Sequence, residues 1–142
     1  MRRGNADSDQ EDSRQGAGLN GKKEKNMVRK GCERNIEKAE RKFGADGYIT
    51  VRHLINTVEE LNGKGRVFAH TTVAPHSGIG FHMHEGDTEI YYVLSGKAEY
   101  NDNGTIVPIE AGDVTFTPSG TGHGINNPND EPLDIIALII YG

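Results

Sequence analysis

Residues 78–89 read GIGFHMHEGDTE, and this stretch decides both the fold and the candidate site. Because side chains two positions apart on a strand share a face, His82 and His84 are predicted to point into one cavity. Glu89 begins the next strand-like run, and His123 follows a second turn cluster further along the chain. His123 is expected to return to the cavity from the opposite sheet. Three imidazoles and one carboxylate suit a divalent transition metal such as Mn, Fe, Co, Ni or Zn. The sequence therefore predicts one metal ion per chain, bound by these four side chains.

The chain from Arg66 onward is a series of short β-type runs separated by turn residues. Within it, Asn103 and Gly104 predict a tight hairpin, because both residues tolerate positive φ. Many short strands at regular spacing are typical of an all-β sandwich or barrel. The expected strands cover residues 66–74, 79–84, 89–94, 97–100, 105–109, 114–117, 123–126 and 133–141.

The last of these runs, DIIALII at residues 134–140, is apolar at consecutive positions instead of alternating. A strand of this kind is usually covered on both faces. One face would meet the barrel interior, and the other needs the N-terminal segment or a second subunit. A homodimer is therefore the expected assembly.

The N-terminal part is expected to differ from the barrel at residues 63–142. Residues 1–26 contain almost no large apolar side chain, which predicts a disordered tail, or an artefact if Met27 is the true start. Residues 27–62 are expected to be a helical or irregular segment that packs on the barrel. Alternating charges and the spacing of Ile36, Ala39 and Phe43 predict a short amphipathic helix over 28–43, with a second possible helical turn in 51–61. Cys32 is then an ordinary helix thiol without a disulfide partner.

Charge and hydropathy exclude several kinds of partner. From Phe43 onward, four basic and thirteen acidic residues leave a net charge of minus nine. This balance argues against nucleic acid, including a helix-turn-helix mode of binding, and against an anionic membrane surface. No apolar run reaches the length of a signal peptide or a membrane span, so the expected location is the cytoplasm.

The stretch from Gly78 to Asn127 resembles the two sequence motifs of the cupin superfamily. The matching residues are His82, His84, Glu89 and Gly96 in the first motif, and Gly112, Pro118, Gly120, His123 and Asn127 in the second. One departure is His76, which stands where the family has its first glycine. The spacer of fifteen residues between the motifs resembles that of microbial single-domain cupins. The resemblance implies a small antiparallel β-barrel or jelly roll with a metal site, and it implies little about the reaction.

Tyr91 is the candidate for substrate contact with the best geometric support. It shares strand parity with Glu89 and Val93, so it is expected to face the metal, either as a hydrogen-bonding or proton-donating group or as a packing aromatic. Tyr92 and its even-numbered neighbours are expected to face outward, and Phe116 is expected to pack against other side chains.

The remaining histidines and cations have no motif to place them. His70 and His76 are alternatives for a general base, and the turn at Pro75 interrupts the strand alternation that would place them. His53 is expected to be structural or exposed in the helical region. The cations available for an anionic substrate are Arg52, Arg66 and Lys97.

The preferred functional hypothesis is a metal-dependent enzyme that acts on a small metabolite, as an oxygenase, an isomerase or a lyase. An octahedral metal with four protein ligands keeps two positions for substrate or water. The scarcity of Arg and Lys argues against sugar phosphates and oxalate, which need cationic clamps. The second hypothesis is a module that binds or senses a sugar-like small molecule without turnover, and a storage-type structural cupin is the least favoured.

Overall fold

The computed structural model describes residues 27–142. The strands described below all belong to the unit Cys32–Gly142. Within residues 27–142, three short 3-10 turns cover Gly31–Glu33, Lys42–Gly44 and Val58–Leu61. The described residues contain ten strands: β1 Ile36–Glu40, β2 Tyr48–His53, β3 Gly65–Val73, β4 Ser77–Met83, β5 Asp87–Ser95, β6 Lys97–Asp102, β7 Thr105–Glu110, β8 Val114–Thr117, β9 Gly122–Asn127 and β10 Leu133–Tyr141.

The strands form two antiparallel sheets. One has six strands in the order β1-β2-β3-β10-β5-β8, and the other has four in the order β4-β9-β6-β7. Period-two alternation gives each sheet an apolar face, and these faces bury one core that includes Val73, Val93, Leu133 and Ile135. The all-β architecture predicted from the sequence is confirmed.

All eight strands expected after residue 65 are present, with ends that shift by at most two residues. The hairpin between β6 and β7 turns at Asn103 and Gly104, which have φ values of 50° and 106°. Asp102 and Thr105 are the closing pair of this hairpin. The turn chemistry read from the sequence therefore sets the register of these two strands.

The amphipathic helix predicted over 28–43 is wrong. Residues 36–40 form β1, which pairs with β2 so that Ala39 lies opposite Ile49. Arg41 and Phe43 have φ values of 51°, which a helix does not allow, and the chain reverses there into β2. Pairing with the edge of the large sheet overrides the weak helical preference of this charged segment. Cys32 lies exposed in a 3-10 turn.

The second possible helical turn, in residues 51–61, is only a 3-10 turn at Val58–Leu61, because residues up to His53 belong to β2. None of the helical segments in residues 27–142 is long and apolar enough to span a membrane. The expected disordered tail at 1–26 lies outside the described residues.

The outer face of the six-stranded sheet is only partly covered. On β10, Ile135 and Ile139 are buried, whereas Ile136 is half-buried and Ile140 is exposed. The prediction that Phe116 packs is wrong within the described chain, since its side chain is 65% exposed on this outer face. β8 is an edge strand, and Phe116 lies on its outward side opposite Ile90.

Candidate metal centre

Both sheets contribute to the cluster predicted from the sequence. His82 on β4 is the direct cross-strand partner of His123 on β9, and His84 follows the end of β4. Glu89 comes from β5 in the six-stranded sheet. The expectation that His123 reaches the site from the sheet opposite His82 is therefore wrong, since Glu89 is the residue that crosses between sheets.

The four side chains offer ligand atoms that all lie within 4.8 Å of one another, an arrangement able to hold a metal ion. Nε2 of His84 lies 3.2 Å from Nε2 of His123 and 3.1 Å from Oε1 of Glu89. Nε2 of His123 lies 3.0 Å from the same carboxylate oxygen. Two ligands about 2.1 Å from a metal and at right angles to each other are about 3.0 Å apart, so these separations fit a metal-sized gap.

Neighbouring acceptors fix the ring orientation of two histidines. Nδ1 of His84 donates to Oδ1 of Asp87 at 2.8 Å, and Nδ1 of His82 donates to the carbonyl of Gly80 at 2.8 Å. Both partners only accept, so in each neutral ring Nε2 carries a lone pair. Burial lowers the pKa of His82, which favours this neutral form. Nitrogen lone pairs that converge beside a buried carboxylate repel one another, and a bound cation would pair with all of them.

Asp87 is itself held as a carboxylate. Burial alone would raise its pKa, but hydrogen bonds from His84 and Arg66 lower it overall. Sequence reasoning named no partner for the histidines, although Asp87 lies two residues before Glu89 and so shares its strand face.

His123 is held by two hydroxyl groups. Its Nδ1 lies 2.8 Å from the Tyr100 hydroxyl and 2.8 Å from Oγ1 of Thr117, and the two hydroxyls lie 2.8 Å from each other. Burial raises the pKa of Tyr100, so the phenol keeps its proton for these contacts. This buried network fixes the ring of the least exposed ligand.

Tyr91 faces inward as predicted and is buried. Its ring stacks on His123, with centroids 5.0 Å apart and planes 21° apart. Burial raises the pKa of Tyr91 well above its ordinary value, and the nearby charge of Glu89 and a hydrogen bond with it add to this. Tyr91 therefore supports two members of the cluster as a protonated phenol.

Phe43 covers the most exposed histidine of the cluster from the N-terminal hairpin. Its ring stacks on His82, with centroids 4.0 Å apart and planes 12° apart. Gly80 permits this approach, because a Cβ at that position would collide with the carbonyl of Phe43. Sequence reasoning assigned Phe43 to a helix and so missed this contact.

A cavity of about 300 Å³ opens beside the cluster. Aliphatic side chains of β2, β3 and β10 line it. Glu37, Lys42, His53 and Arg66 also line it. Nε2 of His53 lies 2.9 Å from Oε1 of Glu37, so the β1–β2 hairpin brings a titratable pair to the pocket. The expectation that His53 lies in a helical region is wrong, because the residue belongs to β2, where its side chain lines the cavity.

The other candidates lie away from this cavity. His70 pairs with Asp134 on the outer face of the large sheet, at 2.9 Å. His76 pairs with Asp130 in an exposed turn, at 2.7 Å. The sequence offered three cations for an anionic substrate. Arg52 donates to Thr72, and of the three Arg66 lines the pocket.

A comparison with family models matches residues 69–140 to the cupin domain. The chain belongs to the cupin family. The match covers both motifs and all four clustered side chains, whereas the N-terminal hairpin that supplies Glu37, Lys42, Phe43 and His53 lies outside it.

The relatives of this cupin include proteins named for oxalate. An oxalate-binding protein of Thermotoga maritima is 41% identical over 114 residues, covering 80% of this chain and 93% of the relative. A crystal structure of a predicted oxalate decarboxylase from the same organism has a TM-score of 0.77 and 40% identity, covering 82% of this chain and 100% of that one. Mannose-1-phosphate guanylyltransferase ManC of Salmonella typhimurium is 32% identical over 67 residues, which are 47% of this chain and only 14% of the enzyme.

Proposed function

We propose that this cupin binds a divalent transition metal through Nε2 of His82, His84 and His123 and a carboxylate oxygen of Glu89, and that the metal holds a small carboxylate ligand such as oxalate. The observation that carries the proposal is the convergence of these donor atoms within 4.8 Å. Mn, Fe, Co, Ni and Zn all accept imidazole and carboxylate ligands. When bound, the metal supplies a positive centre with positions left for ligand oxygens.

The cavity supports a small polar ligand. Its volume of about 300 Å³ lies at the lower end of small-molecule pockets, and its lining combines the polar side chains of the cluster with aliphatic side chains of β2, β3 and β10. Lys42 and Arg66 add positive charge at the lining. They weaken the sequence argument against oxalate, which rested on a scarcity of cations, and the name of the Thermotoga relative favours the same ligand class.

The first candidate function is binding of the ligand without turnover. Asp87, Tyr100 and Thr117 orient the histidines, and Tyr91 keeps its proton beside Glu89. Contacts of this kind orient metal-binding side chains and do not themselves transfer a proton.

Decarboxylation is the second candidate function. Oxalate dianion and one proton give formate and carbon dioxide, so the site needs a proton donor. The pair His53 and Glu37 lines the pocket and also reaches solvent, since the Glu37 side chain is 57% exposed. The name of the Thermotoga crystal structure favours the same reaction.

The test is calorimetric titration of sodium oxalate into protein loaded with each of the five metals in turn, followed by assays for formate. Saturable binding by the metal-loaded protein, and none by the metal-free protein, supports the binding proposal. Formate production lost in His53→Gln would establish turnover. Absence of binding with every metal contradicts the carboxylate proposal.

The assembly we propose is a homodimer through the outer face of the six-stranded sheet. Its central apolar side chains come from adjacent strands and carry no charge, so a second copy of the same face is the matching partner. These side chains are Ile90, Tyr92, Leu94, Val114, Phe116, Ile136 and Leu138. Light scattering should give twice the chain mass for the wild type and the chain mass for Phe116→Glu. A monomeric wild type would contradict the dimer.

A further inference from the structure

A β-bulge turns Arg66 into the pocket. Along the pairing of β3 with β10, Val67 lies opposite Ile139 and Gly65 lies opposite Ile140, so Arg66 is an extra residue in the ladder. Strict alternation would place its side chain on the outer face with Phe68 and His70. Bulges re-aim side chains in this way, and Arg66 lines the cavity.

We propose that Arg66 is the second anchor of the ligand site, binding one carboxylate of a small dicarboxylate whose other end the metal holds. This inference rests on the proposed function and names the ligand class more closely, as a dianion with two carboxylates. A monocarboxylate would engage the metal and leave the guanidinium unused.

The Arg66 guanidinium has N–H donors available for a ligand. Nε of Arg66 donates to Oδ2 of Asp87 at 3.0 Å. Within residues 27–142 its two terminal nitrogens make no hydrogen bond, and the side chain is 44% exposed at the pocket. Paired terminal N–H groups match the two oxygens of a carboxylate, which makes such contacts strong and directional.

Asp87 also places the guanidinium close to the cluster. Its two oxygens bind different partners, Nδ1 of His84 and Nε of Arg66, so one buried carboxylate joins the arginine to a cluster histidine. The ion pair fixes the side chain before a ligand arrives, which reduces the entropy lost on binding. Lys42 is the other cation of the pocket, but it lies over the ring of Phe43 and has no comparable fixed donor pair.

The experiment measures oxalate and formate affinity by calorimetry, with metal content determined for every sample. Arg66→Met should bind oxalate roughly 10- to 100-fold more weakly, as expected for the loss of charged hydrogen bonds, and formate about as well as the wild type. Arg66→Lys should fall between the two, because it keeps the charge without the planar fork. Arg52→Met, which removes a cation from the outer face, is the matched control and should change neither affinity.

The possible outcomes separate the two proposals. A wild type that binds neither anion contradicts the proposed function, and this inference falls with it. A wild type that binds oxalate while metal-loaded Arg66→Met binds it equally well overturns the inference alone. Loss of oxalate affinity in Lys42→Met, with Arg66→Met unchanged, would assign the anchor to Lys42. If Arg66→Met fails to retain metal, an unchanged oxalate-to-formate affinity ratio in metal-loaded Arg66→Lys overturns the inference.

Discussion

Nδ1 of His84 donates a hydrogen bond to Asp87 across 2.8 Å, and both side chains are buried. This contact sets which imidazole nitrogen faces the cluster. Because such outer carboxylates hold metal-binding histidines in the correct tautomer, Asp87→Asn is expected to weaken metal binding roughly 10- to 100-fold. Competition with a coloured chelator measures the change.

The matched control for Asp87 is Asp130→Asn. Asp130 also pairs with a histidine, His76, at 2.7 Å, but this pair is exposed and far from the cavity. Its metal affinity should equal that of the wild type. Equal affinities for Asp87→Asn and the wild type would show that Asp87 does not orient His84 for metal.

Removal of the Phe43 ring should let metal leave faster. The ring stacks on His82 at 4.0 Å and covers it from the pocket side. Since aromatic contacts of this kind contribute about 0.5–1.5 kcal/mol, Phe43→Ala should raise the rate of metal loss to excess chelator roughly 2- to 10-fold. Phe116→Ala removes an exposed ring from the outer face and should leave the rate unchanged. An unchanged rate in Phe43→Ala contradicts a role for this contact.

The sequence was sufficient for most of the barrel and for the identity of the cluster. Alternation along β5 places Glu89 and Tyr91 inward, and the spacing of His82 and His84 needs only a strand to bring the rings together. The expectation of His123 on the opposite sheet failed because pattern alone does not say which strands become neighbours.

The N-terminal hairpin of β1 and β2 is the main part of the fold that the sequence did not predict. Ile36, Ala39 and Phe43 satisfy a helical spacing, and only pairing with β2 shows that the segment is extended. Because of this error, Glu37 and His53 were not predicted to line the pocket. The position of Arg66 in the pocket was not predicted for a different reason. A bulge moves a side chain to the other face of the sheet, and the apolar pattern of the sequence does not reveal it.

Asn127 is expected to be a stability residue. It is fully buried, and its side-chain nitrogen donates to the carbonyls of Val73, Ala74 and Glu131. Asn127→Ala removes the shared donor to these three carbonyls and should lower the free energy of unfolding by about 2–4 kcal/mol, measured by urea denaturation. Asn126→Ala, which loses an exposed hydrogen bond to Glu99, should cost less than about 1 kcal/mol. Equal losses would contradict the role given to Asn127.

Asp134 should make stability depend on acid. Burial would raise its pKa, but hydrogen bonds from Thr72 and His70, the charge of His70 and a hydrogen bond from Ser95 lower it overall. Arg52 adds positive charge through its hydrogen bond to Thr72. The folded state therefore binds fewer protons than the unfolded state at acid pH, so the stabilisation is complete above the unfolded pKa of about 3.9 and is lost as pH falls through the folded value.

The variant Asp134→Asn tests this dependence. It should be less stable than the wild type at pH 6, and the difference in unfolding free energy should shrink toward pH 3. Urea denaturation at both values measures it. A difference that stays constant or grows as pH falls contradicts the lowered pKa of Asp134.

The most direct test of the central claim is elemental analysis after metal loading and exhaustive dialysis. The wild type should retain about one transition metal ion per chain, as expected for a site of four protein ligands. His82→Ala and His123→Ala should lose it, while His76→Ala, which removes an exposed histidine, should keep it. A folded wild type that retains none of Mn, Fe, Co, Ni or Zn, or a His123→Ala variant that retains as much as the wild type, would contradict the metal site.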